Sequence, residues 1–231
     1  MLALFDLDNT LIDRSAGLEH WTRGFLHSRS LPQEAEAVVG DRLRDRARPE
    51  DFVALGVTVG LSDDPGDLWH EYVDGVARSV RCFPGAREGL EALRGAGWTI
   101  GIATNGAGDI QRAKLAATGL APLFDGICVS CEVGARKPER RLFEAAATEC
   151  GASLSAGGWM VGDSPETDID GARAAGLRTL WVANGREWAN GLREPDVMVS
   201  GIVEAIEAVR KASRTVSRGP RTRSPPARTP M

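Results

Sequence analysis

Lysine is nearly missing from this chain: Lys114, Lys137 and Lys211 are the only three in 231 residues. Arginine supplies the other positive charges, so a lysine inside a motif stands out. Cysteine is sparse as well, with Cys82, Cys128, Cys131 and Cys150 making four. One CxxC pair is present, Cys128-Val-Ser-Cys131, and no second pair accompanies it to build a zinc site. Ile127–Val129 reads as a strand, on which positions three apart face opposite sides, so reduced and partly buried thiols are the expectation. No apolar run approaches the ~20 residues that cross a membrane. No secretory signal is expected, because Asp6 and Asp8 interrupt the stretch where its apolar segment would lie. The cytoplasm is therefore the expected compartment. A net charge of −4 argues against a general nucleic-acid binder. Nothing in the chain reads out an oligomeric state.

What is present is an ordinary globular composition, 42% hydrophobic and 26% charged, which is enough to build a packed core. Short apolar runs alternate with amphipathic stretches. Leu2–Phe5, Trp98–Ala103, Gly126–Val129, Trp159–Val161, Thr179–Val182 and Val197–Val199 read as strands. Ala86–Ala96, Asp109–Thr118, Glu139–Cys150, Glu166–Ala175 and Ile202–Lys211 read as helices. Gly97, Gly119, Gly151 and Gly176 stand where helix C-caps prefer glycine. This alternation predicts an α/β fold: a Rossmann-like, doubly wound parallel sheet with helices on both faces.

One segment departs from the alternation. Between Ser15 and Arg81 the pattern is helical throughout, with candidates at Gly17–Ser28, Gln33–Arg46, Pro49–Leu61 and Pro65–Val80. It reads as a small helical domain, residues 15–81, inserted after the first strand. The core is then residues 1–14 and 82–211, re-entered at Phe83-Pro84-Gly85, a turn signal. Residues 212–231 hold five arginines, four prolines and no acid, which leaves −9 on the residues before them against −4 for the whole chain. That tail has little to bury and is expected to be disordered and dispensable.

In an open parallel sheet, ligands bind beyond the carboxyl ends of the strands. Asp6 and Asp8 follow the first strand and Thr104-Asn105-Gly106 the second. Arg136-Lys137-Pro138 follows the third, and Gly162-Asp163 through Asp168 the fourth. One edge thus gathers four carboxylates, a hydroxyl and an ammonium. The carboxylates repel unless a cation sits among them. Oxygen donors with no His or Cys cluster suit Mg²⁺, which commonly works beside a phosphate. Phosphoryl transfer with a carboxylate nucleophile is the chemistry such an edge can support.

These four stretches, Phe5-Asp6-Leu7-Asp8-Asn9-Thr10-Leu11, Thr104-Asn105-Gly106, Lys137-Pro138 and Gly162-Asp163 through Asp168, resemble the four motifs of the haloacid dehalogenase-like (HAD) hydrolase superfamily. They stand in the family's order, and the helical insert lies where that family carries its C1-type cap. The resemblance implies roles. Asp6 would be the nucleophile, forming an aspartyl-phosphate. Asp8 would be the general acid and then the base. Thr104 and the N–H of Asn105 would hold phosphoryl oxygens, and Lys137 would neutralise charge on the nucleophile and the phosphoryl group. Mg²⁺ would be held by Asp6, Asp163 and the backbone carbonyl of Asp8, with Asp168 assisting the metal or orienting Lys137.

The second aspartate, Asp8, resembles the phosphatase branch rather than the dehalogenases or phosphonatases. The absence of lysine from Ser15–Arg81 also disfavours the Schiff base that phosphonatases form with a cap lysine. The implied function is a Mg²⁺-dependent phosphomonoester hydrolase acting on a small phosphorylated metabolite: a nucleotide, a sugar phosphate or a phosphoglycolate-like acid. A phosphomutase and a non-catalytic phospho-ligand binder are the alternatives. Cap residues worth following for specificity are His20, Trp21, Arg44, Arg46, Trp69, His70 and Tyr72. For Trp21, Trp69 and Tyr72, packing among the cap helices is the competing explanation.

Overall fold

The structure is a computed structural model and describes residues 1–45, 47–189 and 191–216. Six strands form one sheet: β1 (Leu2–Phe5), β2 (Thr99–Thr104), β3 (Gly126–Val129), β4 (Trp159–Gly162), β5 (Arg178–Val182) and β6 (Val197–Val199). Their order is β3-β2-β1-β4-β5-β6 and every pairing is parallel. The chain winds outward from β1 in one direction and from β4 in the other. A crevice therefore opens between the carboxyl ends of β1 and β4, where the winding reverses. Side chains alternate across the sheet as a two-residue period requires. Ala3, Phe5, Ile100, Ile102 and Leu180 pack on one face, with Leu90 and Leu93 of α5 (Ala86–Gly95) and Ile206 and Val209 of α10 (Ile202–Val216). Leu2, Leu4 and Met160 pack on the other, against Leu142, Phe143 and Ala146 of α8 (Arg140–Glu149).

Among the described residues, four helices and no strand lie between β1 and α5: α1 (Arg14–Ser28), α2 (Ala35–Arg44), α3 (Pro49–Val59) and α4 (Pro65–Ser79). Their starts follow from local chemistry. The Asp13 carboxylate caps α1 by accepting from Ala16 N at 2.9 Å, and Asp64 caps α4 by accepting from Gly66 N at 2.8 Å. Pro49 and Pro65 occupy first-turn positions that need no N–H. The chain leaves and re-enters the sheet region side by side, with Asp13 N donating to Arg81 O at 2.9 Å and Phe83 N to Leu11 O at 3.0 Å. Trp21, Phe25, Phe52, Trp69 and Tyr72 pack ring against ring at the centre of the four helices. This is the interior that Trp21, Trp69 and Tyr72 serve. His20, His70 and Arg44 are exposed, and Arg46 lies outside the described residues.

A short helix, α7 (Ser130–Val133), fills the start of the loop expected after β3, and two expected elements differ in shape or length. The stretch read as one helix over Glu166–Ala175 splits into a wide turn, Pro165–Asp170, and a short helix, α9 (Gly171–Ala174). Ile169 N reaches back five residues to Ser164 O at 3.2 Å, widening the turn at the functional edge. At the C-terminus, α10 continues through Val216, five residues beyond the end expected at Lys211. The rest of the tail lies outside the described residues. Cys128 is buried and Cys131 exposed, and all four cysteines are free thiols. Among the described residues no helix is long and apolar enough to cross a membrane.

Candidate active site

Asp6 follows β1 directly, and its backbone N–H donates to Val161 O of β4 at 2.9 Å, which places it at the crevice between the two strands. Its carboxylate is buried and accepts from Lys137 Nζ at 2.6 Å. The same ammonium lies 2.7 Å from Asp168 Oδ1. Lys137 is held from behind by Asn105: Lys137 N donates to Asn105 Oδ1 at 2.9 Å, and Asn105 Nδ2 donates to Lys137 O at 3.1 Å. The loops after β2 and β3 are thus joined by their own backbone needs.

Asp163 follows β4. Its carboxylate pairs with Arg186 at 3.0 Å, and its carbonyl accepts from Trp181 Nε1 at 2.8 Å. Asp168 is fully buried on the wide turn and accepts from Ser164 N at 2.9 Å. That turn folds back so closely that a Cβ on Gly162 would collide with the Asp168 carboxylate. The glycine is what allows the approach. Asp6, Asp163 and Asp168 present carboxylate oxygens within 4.8 Å of one another.

The electrostatics record that crowding. Burial, with Asp168 and Asp163 close by, pushes the Asp6 carboxyl up to about 8 in spite of Lys137. Burial and Asp168 push Asp163 up to about 6. Burial opposes the charge on Lys137, yet Asp168 and Asp6 outweigh it and hold that ammonium above its ordinary range. One ammonium therefore serves two carboxylates, with a third beside it. Three buried oxygen donors with excess negative charge and no nitrogen or sulfur donor fit a hard cation such as Mg²⁺.

Asp8 belongs to a different set. Its carboxylate does not join that cluster but is gripped by α6 (Gly108–Ala117). Lys114 Nζ donates to both Asp8 oxygens at 2.9 and 2.8 Å, and Gln111 Nε2 donates to Asp8 Oδ2 at 3.2 Å. Gln111 Nε2 also donates to Thr104 Oγ1 at 2.7 Å. Arg14 of α1 lies 3.9 Å from Asp8 and donates to the carbonyls of Leu43 and Arg44 at the end of α2. Burial would raise the Asp8 carboxyl, but Lys114 and Arg14, with hydrogen bonds from Lys114 and Gln111, hold it below its usual value.

All seven residues singled out in the sequence lie along this edge, in two groups joined by Asn105, Thr104 and the Asp6–Asp8 backbone. Sequence reasoning missed Arg14, Gln111, Lys114 and Arg186. Lys114 carried a signal, being one of three lysines and three residues after Gln111 on a helix that follows the Thr104-Asn105-Gly106 loop. Arg186 has no local signal, since only the folded loop after β5 brings it to Asp163.

Over Asp8, Arg14, Tyr72, Asn105 and Lys114 there is a crevice of only about 30 Å³. Arg14 also lines a cavity of about 840 Å³ between α1 and α2. Trp69 Nε1 of α4 donates to Asp109 Oδ2 of α6 at 2.6 Å, fastening the helical segment to the sheet region beside the crevice.

The family model for haloacid dehalogenase-like hydrolases matches residues 3–182. A pyrimidine 5′-nucleotidase of Escherichia coli is 38% identical over 145 residues, 62% of this chain and 64% of that protein. A phosphoserine phosphatase of Thermus thermophilus is 38% identical over 131 residues, 57% of this chain and 52% of that protein. The chain thus spans between half and two thirds of the length of these two relatives. An L-2-haloacid dehalogenase of Xanthobacter autotrophicus, solved with chloropropionic acid covalently bound, has a TM-score of 0.71 at 18% identity, over 90% of this chain and 98% of that one. That likeness concerns the fold. A parallel sheet with four motif-bearing loops on one edge, and a family match from β1 through β5, place this chain in the haloacid dehalogenase-like hydrolases.

Proposed function

We propose that the protein is a Mg²⁺-dependent phosphomonoester hydrolase acting through an aspartyl-phosphate on Asp6, with residues 15–81 as a cap over the site. The observation that carries the reading is the separation of the two aspartates. Asp6 lies with Lys137 and two further carboxylates, while Asp8, two residues on, is held apart with its side chain 20% exposed. We read the first as the group that takes up phosphorus and the second as the group that moves protons. The phosphatase activities of the sequence relatives support the same chemistry.

Asp6 Oδ attacks phosphorus, and the bond from phosphorus to the leaving oxygen breaks. For this step Asp8 must enter protonated, against the pull of Lys114 and Arg14, and it gives that proton to the leaving oxygen. Water then attacks the aspartyl-phosphate, its proton passes to Asp8, and the bond from phosphorus to Asp6 breaks. Thr104 and the Asn105 N–H hold phosphoryl oxygens, and Lys137 compensates the charge on Asp6 and on the phosphoryl group. Asp6 and Asp163 would hold Mg²⁺, with Asp168 beside them. When bound, the metal supplies charge neutralisation for an anionic substrate. Arg14 lines both the crevice at Asp8 and the cavity between α1 and α2, so the organic part of a small metabolite, such as a nucleotide, a sugar phosphate or a phospho-acid, would have to pass Arg14 to reach that cavity.

The test is phosphate release from a panel of such monoesters, with Mg²⁺, with EDTA and with Asp6→Asn. Release that needs both Mg²⁺ and Asp6 is expected. Isomerised product without stoichiometric phosphate would assign the chain to phosphomutases. Silence across the panel from a folded protein would favour a phospho-ligand binder.

A further inference from the structure

Lys114, the other buried lysine, has no part in the steps above, yet it is 1% exposed and its ammonium is fully engaged. It donates to both oxygens of Asp8 and, at 2.8 Å, to Gln111 Oε1. Gln111 in turn reaches Thr104 Oγ1. A buried ion pair gives little net stability over apolar packing of the same volume, so stability alone is a weak reason to bury a lysine here.

We propose that Lys114 is a positioning residue for Asp8. With Gln111 it fixes the Asp8 carboxylate, and through Gln111 it fixes that carboxylate relative to Thr104. The inference rests on the phosphatase reading and deepens it. A carboxylate on a short side chain otherwise turns freely about its χ angles. Proton transfer is productive only when the acid lies within hydrogen-bond reach of the leaving oxygen. The phosphoryl group is gripped at Thr104, so the distance that matters is from Thr104 to Asp8. Gln111 spans that distance with a single amide group. Lys114 closes the arrangement by engaging the amide oxygen and both carboxylate oxygens. Arg14 Nε lies 3.9 Å from Asp8 Oδ2, the oxygen that Lys114 and Gln111 also reach, and adds a second positive charge beside the carboxylate.

A positioning role acts through Asp8 and a structural role does not, so a double-mutant cycle separates them. The variants are Lys114→Met, Asp8→Asn and the pair, in the full chain with Mg²⁺. The readout is kcat with p-nitrophenyl phosphate, whose second step still needs Asp8 as base. Lys114→Met is expected to lower kcat about ten-fold or more in the wild-type background and less than about two-fold in the Asp8→Asn background. In kcat/KM, an alkyl phosphate, whose leaving oxygen needs a proton, should lose more than p-nitrophenyl phosphate, whose leaving group does not. Lys114→Arg should recover part of the loss.

Equal losses in both backgrounds, equal losses for both substrates, or no loss would overturn the inference. If Lys114→Met does not fold by circular dichroism, Gln111→Leu, which keeps both charges, carries the same cycle. If the wild type shows no Asp6-dependent phosphate release at all, the phosphatase reading falls and the inference falls with it. Release with an unmoved cycle sinks the inference alone.

Discussion

Asp6 and Asp8 stand two residues apart and answer to different lysines. Lys137, from the loop after β3, meets Asp6 at 2.6 Å, while Lys114, from α6, meets Asp8 at 2.8 Å. The pairing gives one sequence motif two electrostatic environments. Asp6 is pushed up by burial and by like charges, and Asp8 is held down because cations outweigh its burial. These directions belong to the protein without metal or substrate. Asp6 must lose its proton to attack and Asp8 must gain one to act as an acid, so Mg²⁺ beside Asp6 and an anionic substrate beside Asp8 have to reverse both.

Asp6→Asn should abolish turnover, by about 10³-fold or more, because an amide cannot form the aspartyl-phosphate. It should also raise the metal-free unfolding midpoint, since the ionised group is held among Asp163 and Asp168 at a cost. A folded variant with near-normal phosphate release would remove Asp6 as the nucleophile.

Lys137→Met should destabilise the metal-free protein by about 3–5 kcal/mol, because the buried carboxylates of Asp6 and Asp168 lose their shared ammonium. Urea unfolding at pH 7 reads the effect. A change within the ~0.5 kcal/mol of an ordinary surface substitution would mean that other groups compensate those charges.

Asp6 at about 8 and Asp163 at about 6 both lie above the ordinary 3.8. Between those values the folded, metal-free protein binds more protons than the unfolded chain, so its stability should fall as pH rises from ~4 to ~8. Mg²⁺ requires the deprotonated carboxylates, so its affinity should rise over pH 6 to 8, with protons released on binding. Thermal unfolding with and without Mg²⁺ across this range, and calorimetry in two buffers of different ionisation heat, measure both trends. A pH-independent Mg²⁺ shift would place the metal away from these residues.

Much of this was legible because it is local. The strands stand out as short apolar runs. Gly97, Gly119, Gly151 and Gly176 all adopt the positive φ that a helix C-cap asks of glycine. The four motif loops carry their chemistry in adjacent residues, which the chain presents without needing the rest of the fold. What was hidden depends on contacts between distant segments. Lys114 becomes a partner of Asp8 only when the fold brings α6 to the loop after β1, 106 residues away. Arg186 becomes a partner of Asp163 only when the β5 loop turns back. The split of the expected Glu166–Ala175 helix follows from Asp168 being drawn toward Lys137 and Ser164 N, a tertiary demand that overrides helical propensity. Trp21, Trp69 and Tyr72 carry the same periodicity whether they face a substrate or each other, and the structure packs them against each other.

Gly162→Ala tests the close approach of the wide turn. The added methyl would meet the Asp168 carboxylate, and the turn must move or Asp168 must leave Lys137. Overpacking of this kind costs about 1–3 kcal/mol, and activity should fall with it because Lys137 and Asp6 share the displaced contact. An alanine variant with unchanged midpoint and turnover would show that the turn has room to spare.

Trp69→Phe keeps an aromatic ring against Phe52 and Tyr72 but removes the N–H that reaches Asp109. A hydrogen bond to a charged group is worth about 1.5–3 kcal/mol net, so a loss toward the lower end is expected where the acceptor keeps access to water. The bond joins α4 of the helical segment to the first turn of α6, and α6 carries Gln111 and Lys114 to Asp8. Weakening it should therefore loosen the helical segment over the crevice as well as lower stability. Hydrogen exchange in α4 and at the start of α6 should speed up more than in β1 or β4. Uniform acceleration across all four elements would show that the indole contributes to global stability and not to the fastening of the two parts.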